Sequence, residues 1–122
     1  MPEDRTLQEI LKAYADHPDF LGTTLSDINE VGATGDAPLH IAARRGSVDE
    51  VRALLAHGAN INMAGDMGNT PLHFAALTGR VDIAKLLLEK GANLNALNEF
   101  SETPLKVAEQ GGKKDVIKVL KK

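Results

Sequence analysis

The sequence predicts a mainly α-helical solenoid of stacked helix-turn-helix units with projecting β-hairpin loops. Three observations predict it. Pro38, Pro71 and Pro104 recur every 33 residues, and Leu39, Leu72 and Leu105, Ala42, Ala75 and Ala108, Gly46, Gly79 and Gly112, and Asn29, Asn62 and Asn95 share that offset. Within each period the apolar residues keep helical spacing. In the last period, charged residues replace part of the repeating apolar set, as expected of a unit that ends a stack. Self-similarity at a period of 20–50 residues is the mark of a repeat architecture, in which one unit buries its apolar face only against the next.

Each element follows in order. Leu7, Ile10, Leu11 and Tyr14 fall at i, i+3, i+4 and i+7 and form the stripe of an amphipathic helix that Pro18 ends. Phe20, Leu21, Leu25 and Ile28 offer a second apolar set. Residues 1–28 are therefore expected to form a divergent helical N-terminal cap. Pro38 opens the next helix, where its missing N–H costs nothing, and Gly46 closes it because glycine takes the left-handed conformation cheaply. A second helix is expected over 47–57, with Val48, Val51, Leu54 and Leu55 on one face and Gly58 as its stop. Residues 59–69, rich in Gly and Asn, then project as an extended turn or hairpin. The same reading places repeats at 29–61 and 62–94 and a C-terminal capping repeat at 95–122, a four-unit stack in a single domain. The cap assignment rests on register: Val48 and Val81 become Lys114, Leu55 and Leu88 become Lys121, Ala43 and Ala76 become Glu109, and His40 and His73 become Lys106.

The segments Asp36-Ala37-Pro38-Leu39-His40-Ile41-Ala42-Ala43, Asn69-Thr70-Pro71-Leu72-His73-Phe74-Ala75-Ala76 and Glu102-Thr103-Pro104-Leu105-Lys106-Val107-Ala108 resemble the Thr-Pro-Leu-His signature of ankyrin repeats. Gly46 and Gly79, the Leu-Leu pairs at 54–55 and 87–88, and Gly-Ala-Asn-Ile-Asn at 58–62 match the family's further landmarks. The resemblance spans residues 29–122 and leaves the first 28 outside it. It departs at the Asp that usually opens each repeat, which is Gly32, Gly65 and Asn98 here. The hydrogen bonds between hairpins are therefore expected to differ.

The 122 residues suffice for one domain, and 43% hydrophobic with 25% charged residues is ordinary for a globular chain. With no cysteine, a disulfide scaffold, a thiolate metal site and a Cys nucleophile are all excluded. The net charge of −3 argues against a partner that is nucleic acid. The acidic Met1-Pro2-Glu3-Asp4-Arg5 opening lacks a signal-peptide pattern, so a cytoplasmic location is expected, with no membrane partner. Charge segregates from −5 over residues 1–35, through −1 over 36–101, to +3 over 102–122, the pattern of solubilised ends.

No set of residues converges on a catalytic or metal-binding constellation. His17, His40, His57 and His73 include no His-x₃-His pair, and the resemblance assigns His40 and His73 a structural hydrogen-bonding role. There is no Gly-x-Gly-x-x-Gly, no Gly-x-x-x-x-Gly-Lys-Ser/Thr and no Gly-x-Ser-x-Gly. Gly111-Gly112-Lys113-Lys114 is expected to be the turn between the two helices of the cap. No enzyme, no metal and no cofactor is expected.

What remains is a surface. In ankyrin arrays the hairpin tips and inner helices form a concave groove where partners bind. Carried over by position, the resemblance implies Thr34, Asp36, Arg44 and Arg45 in the first matching unit. It implies Asp66, Met67, Asn69, Leu77 and Thr78 in the second, and Glu99, Phe100, Glu102 and Gln110 in the third. Met67, Leu77 and Phe100 are large and apolar, and contiguous apolar patches on monomers mark interfaces. Phe100 has a structural alternative, folding back onto its own hairpin. The expected function is a monomeric, non-catalytic protein–protein interaction module. Short free-standing ankyrin proteins of this kind resemble bacterial ones, some of which neutralise a cognate toxin. An immunity or antitoxin-like inhibitor is thus the alternative, and a nucleic-acid-associated regulator a second.

Overall fold

A computed structural model describes residues 7–15, 17–18 and 27–121. Residues 3–6 and the apolar set at Phe20, Leu21 and Leu25 lie outside the described residues. The described residues form seven α-helices: α1 (Leu7–Ala15), α2 (Pro38–Arg45), α3 (Val48–Ala56), α4 (Pro71–Thr78), α5 (Val81–Glu89), α6 (Pro104–Gln110) and α7 (Lys114–Leu120). The last six form three antiparallel pairs. Inner helices α2, α4 and α6 pack on one another in sequence, and outer helices α3, α5 and α7 form a second row. Among the described residues, no helix is long and apolar enough to cross a membrane.

The period acts through local bonds. The carbonyls of Ala42, Ala75 and Ala108 accept from the N–H groups of Ser47, Arg80 and Lys113 at 3.1, 2.9 and 3.0 Å, ending each inner helix with the same six-residue closure. Gly46 and Gly79 supply the left-handed φ this closure needs, at 78° and 72°. Between units, Asn29 and Asn62 accept from the backbone N–H groups of Asn60 and Asn93 at 2.8 and 2.7 Å. That rung explains why asparagine recurs at this register.

The core runs through the whole stack: Ile10, Leu11 and Tyr14 of α1, then Leu39, Ile41, Leu54, Leu72, Phe74, Ile83, Leu87, Val116 and Leu120. Burying each Leu or Ile fully contributes on the order of 1.5–3 kcal/mol. Small residues permit the close approach of inner helices, and Ala42, Ala43, Ala75, Ala76 and Ala108 are all fully buried. At the C-terminal end, Lys106, Glu109, Lys114 and Lys121 are exposed where their register counterparts are buried or half-buried.

The inner helices begin differently. Thr70 and Thr103 accept from the third helical N–H, whereas Ala37 has no side chain to do so. Thr70→Ala should therefore cost about 1 kcal/mol, read as a lower midpoint in urea; an unchanged midpoint would mean that the cap is dispensable.

The projecting loops depart from the expected β-hairpins, for no strand occurs among the described residues. Each tip is closed instead by two recurring bonds: Gly32 N–H to Asp36 O, Gly65 N–H to Asn69 O and Asn98 N–H to Glu102 O at 2.9, 2.8 and 3.0 Å, and Gly35 N–H to Gly32 O, Gly68 N–H to Gly65 O and Ser101 N–H to Asn98 O at 3.0, 2.9 and 3.0 Å. Neighbouring tips are joined by single bonds, Asp66 N–H to Asp36 Oδ1 and Glu99 N–H to Met67 O. The middle tip holds a short 3₁₀ turn at Asp66–Gly68.

Candidate protein-binding surface

The loops are tied to the inner helices by two histidines. In α2, His40 Nδ1 accepts the Ala37 N–H at 2.9 Å while Nε2 lies 2.6 Å from Met63 O in the next loop. In α4, His73 Nδ1 accepts the Thr70 N–H at 3.0 Å and Nε2 lies 2.8 Å from Glu102 O. Because Nδ1 accepts, Nε2 carries the proton and donates, which fixes a neutral ring. Burial pushes both imidazoles below their ordinary value, outweighing the carbonyl contacts and, for His40, the Asp36 charge.

The missing repeat-opening Asp has a structural substitute. Asp36 is fully buried; its Oδ1 accepts the Asp66 N–H at 2.8 Å and its Oδ2 lies 3.4 Å from Arg44 Nη1. A side-chain carbon at Gly65 would fall on Asp36 Oδ1 and within 2.9 Å of the His40 ring. Glycine stands there because the carboxylate of the preceding unit fills the space. At the third tip Asn98 has the corresponding role: its Oδ1 accepts from Phe100 and Glu102 N–H at 2.9 and 3.0 Å, and its Nδ2 donates to Asn69 Oδ1 at 3.0 Å. The Glu99 N–H also donates to Met67 O at 3.0 Å, joining the second and third tips.

An open groove of about 370 Å³ lies between these two tips and the facing helices α4 and α6. It brings together Met67, Asn69, Leu77, Phe100, Glu102 and Gln110 of the residues expected from sequence, and adds Asn98, Val107 and Gly111. Met67, Leu77 and Phe100 are 53%, 51% and 64% exposed. Phe100 therefore does not fold back onto its own hairpin. Two tip residues other than glycine hold positive φ, Met67 and Ser101, both at 57° and both beside the groove. Such backbone costs on the order of 1 kcal/mol or more and clusters where function requires it.

The other expected residues fall elsewhere. Asp36, expected at the partner-facing surface, is buried and bonded within the stack, a correction to its placement. Arg44 is half-exposed, but its guanidinium pairs with Asp36 and lies 5.1 Å from the Phe74 ring. Arg45 turns toward α1, 3.6 Å from Glu50 and 6.0 Å from the Tyr14 ring, while Tyr14 Oη donates to Glu50 at 2.9 Å. Thr78 donates its hydroxyl to Phe74 O at 2.7 Å, and Thr34 lies at the first tip with its hydroxyl 3.5 Å from the Asp36 carboxylate. Asp66 and Glu99 sit on the tips flanking the groove but do not line it.

Nothing in the sequence singled out Asn98 or Val107 for this surface. The break from Gly32 and Gly65 was the available signal for Asn98. A second opening, about 450 Å³, lies on the outer side between α5 and α7, lined by Lys85, Leu88, Glu89, Leu94, Val119 and Leu120. Among the described residues, no group of three or more His, Asp or Glu side chains could hold a metal ion.

Residues 7–98 match a family model of ankyrin repeats in three copies, and residues 79–120 match another of ankyrin repeats in many copies. The matched range begins at α1, so the divergent opening segment falls within it from residue 7 onward. No curated protein matches the chain.

Proposed function

This chain belongs to the ankyrin-repeat family, and from that premise we propose that it is a non-catalytic module that docks a partner protein on the groove between its second and third tips. Ankyrin repeats are generally protein–protein interaction modules. The observation that carries the finer reading is the convergence of Met67, Leu77 and Phe100, each more than half exposed, on one groove. Three such side chains left in water have no role in the core, and burying them against a partner is worth on the order of 25 cal/mol per Å². The backbone bonds at the tips support this reading, because a preordered surface loses little conformational entropy on binding.

The test compares wild type with a Leu77→Asp/Phe100→Ala variant as baits, using lysate of the source organism and mass spectrometry. A stoichiometric protein should bind wild type and be lost from the variant, an affinity drop of at least about 30-fold if the pair forms the binding centre. The melting temperature should be nearly unchanged, since neither side chain is buried. Recovery of the same proteins by both baits, or a variant that unfolds, would reject the groove as the docking surface.

A further inference from the structure

The charge on the tips of this groove is one-sided. Asp66, Glu99 and Glu102 stand on the two tips that bound it, and among the described residues none of the three forms an ion pair. The nearby cations are committed inward: Arg44 to Asp36 and the Phe74 ring, Arg45 to Glu50 and the Tyr14 ring. The Arg80 Nε donates to Arg44 O, and the Lys113 chain lies against Gly79 and the groove residue Gly111, at the helix ends away from the two tips. Lys106 occupies the register of His40 and His73, whose rings reach toward the following loop rather than the groove of their own unit.

An apolar floor with an acidic rim that forms no ion pair among the described residues, although Glu102 Oε1 accepts from Asn98 Nδ2 at 3.4 Å, selects a particular partner surface. Resting on the groove reading above, we propose that the bound segment is cationic and apolar together. It sets a Leu, Met or Phe between Met67, Leu77 and Phe100, and a neighbouring Lys or Arg against Glu99 and Glu102. The apolar contact supplies most of the affinity. The carboxylates supply orientation and rejection of acidic partners, because like charges placed together are costly and exposed opposite charges contribute modestly.

A random peptide library displayed on phage tests this with three baits: wild type, Glu99→Gln/Glu102→Gln, and Leu77→Asp/Phe100→Ala. Wild type should enrich Lys or Arg within two positions of Leu, Met or Phe. The Gln bait should retain the apolar preference and lose the basic one. A peptide selected on wild type should bind the Gln variant roughly three- to tenfold more weakly. That difference should vanish near 1 M salt, where the screening length falls to about 3 Å. The Leu77→Asp/Phe100→Ala bait should enrich none of these peptides.

Two results overturn the charge assignment and leave the groove standing: wild-type selections without basic residues, or the same basic preference on the Gln bait, with the apolar variant still blank. Identical selections on all three baits, or none on wild type, overturn the groove reading as well.

Discussion

Gly65→Ala will destabilise the chain by about 2–3 kcal/mol. The new methyl group would meet the Asp36 carboxylate and the His40 ring, both fully buried. Asp36→Ala alone should cost about 2 kcal/mol, because the Asp66 N–H and the Arg44 guanidinium lose their acceptor. The two together should cost less than their sum by on the order of 1 kcal/mol, since removing the carboxylate vacates part of the space the methyl needs. Urea unfolding of the four proteins in this cycle measures the coupling. Additive costs would show that the carboxylate does not fill the Gly65 socket.

Acid will weaken the fold through His40 and His73. Both rings are neutral when folded, with values lowered by burial, while in the unfolded chain they titrate near 6.5. Below that pH the unfolded state binds protons that the folded state resists, so stability is complete above about 6.5 and falls as pH drops toward the folded values. Each histidine contributes a slope of up to about 1.4 kcal/mol per pH unit in that window. Protonation would also place an N–H on Nδ1 against the Ala37 or Thr70 backbone N–H, which faces it at 2.9 or 3.0 Å. Denaturant unfolding between about pH 5.5 and 7, beside NMR titration of the ring protons, reads both effects. Flat stability across that window, or rings that titrate as in a free peptide, would refute the neutral assignment.

The helices and their ends were legible because their causes are local. Pro38, Pro71 and Pro104 each open an inner helix, and Gly46 and Gly79 each follow one, as their backbone preferences require. The surface was less legible. Leu77 and Phe100 stand out as apolar residues at positions facing away from the repeat core, and the groove does collect them. Arg44 and Arg45, adjacent in sequence, diverge: one turns to Phe74 of the following repeat and the other to α1. Arg45 is directed by Tyr14 of the divergent first segment, which lacks the repeat pattern that would have placed it. Asp36 looked like a variable surface position because its socket is made by an absent side chain, that of Gly65, 29 residues later.

The period, the helix pairs, the Asn rungs and the charged last unit are written in the sequence, since each depends on bonds within one unit or between positions 31–33 residues apart in a fixed register. Burial of Asp36, the inward commitment of the arginines and the convergence of Met67, Leu77 and Phe100 were decided only by the tertiary structure. They depend on where side chains from different units meet across the stack, and a repeating pattern specifies the spacing of those chains but not the direction in which each one turns.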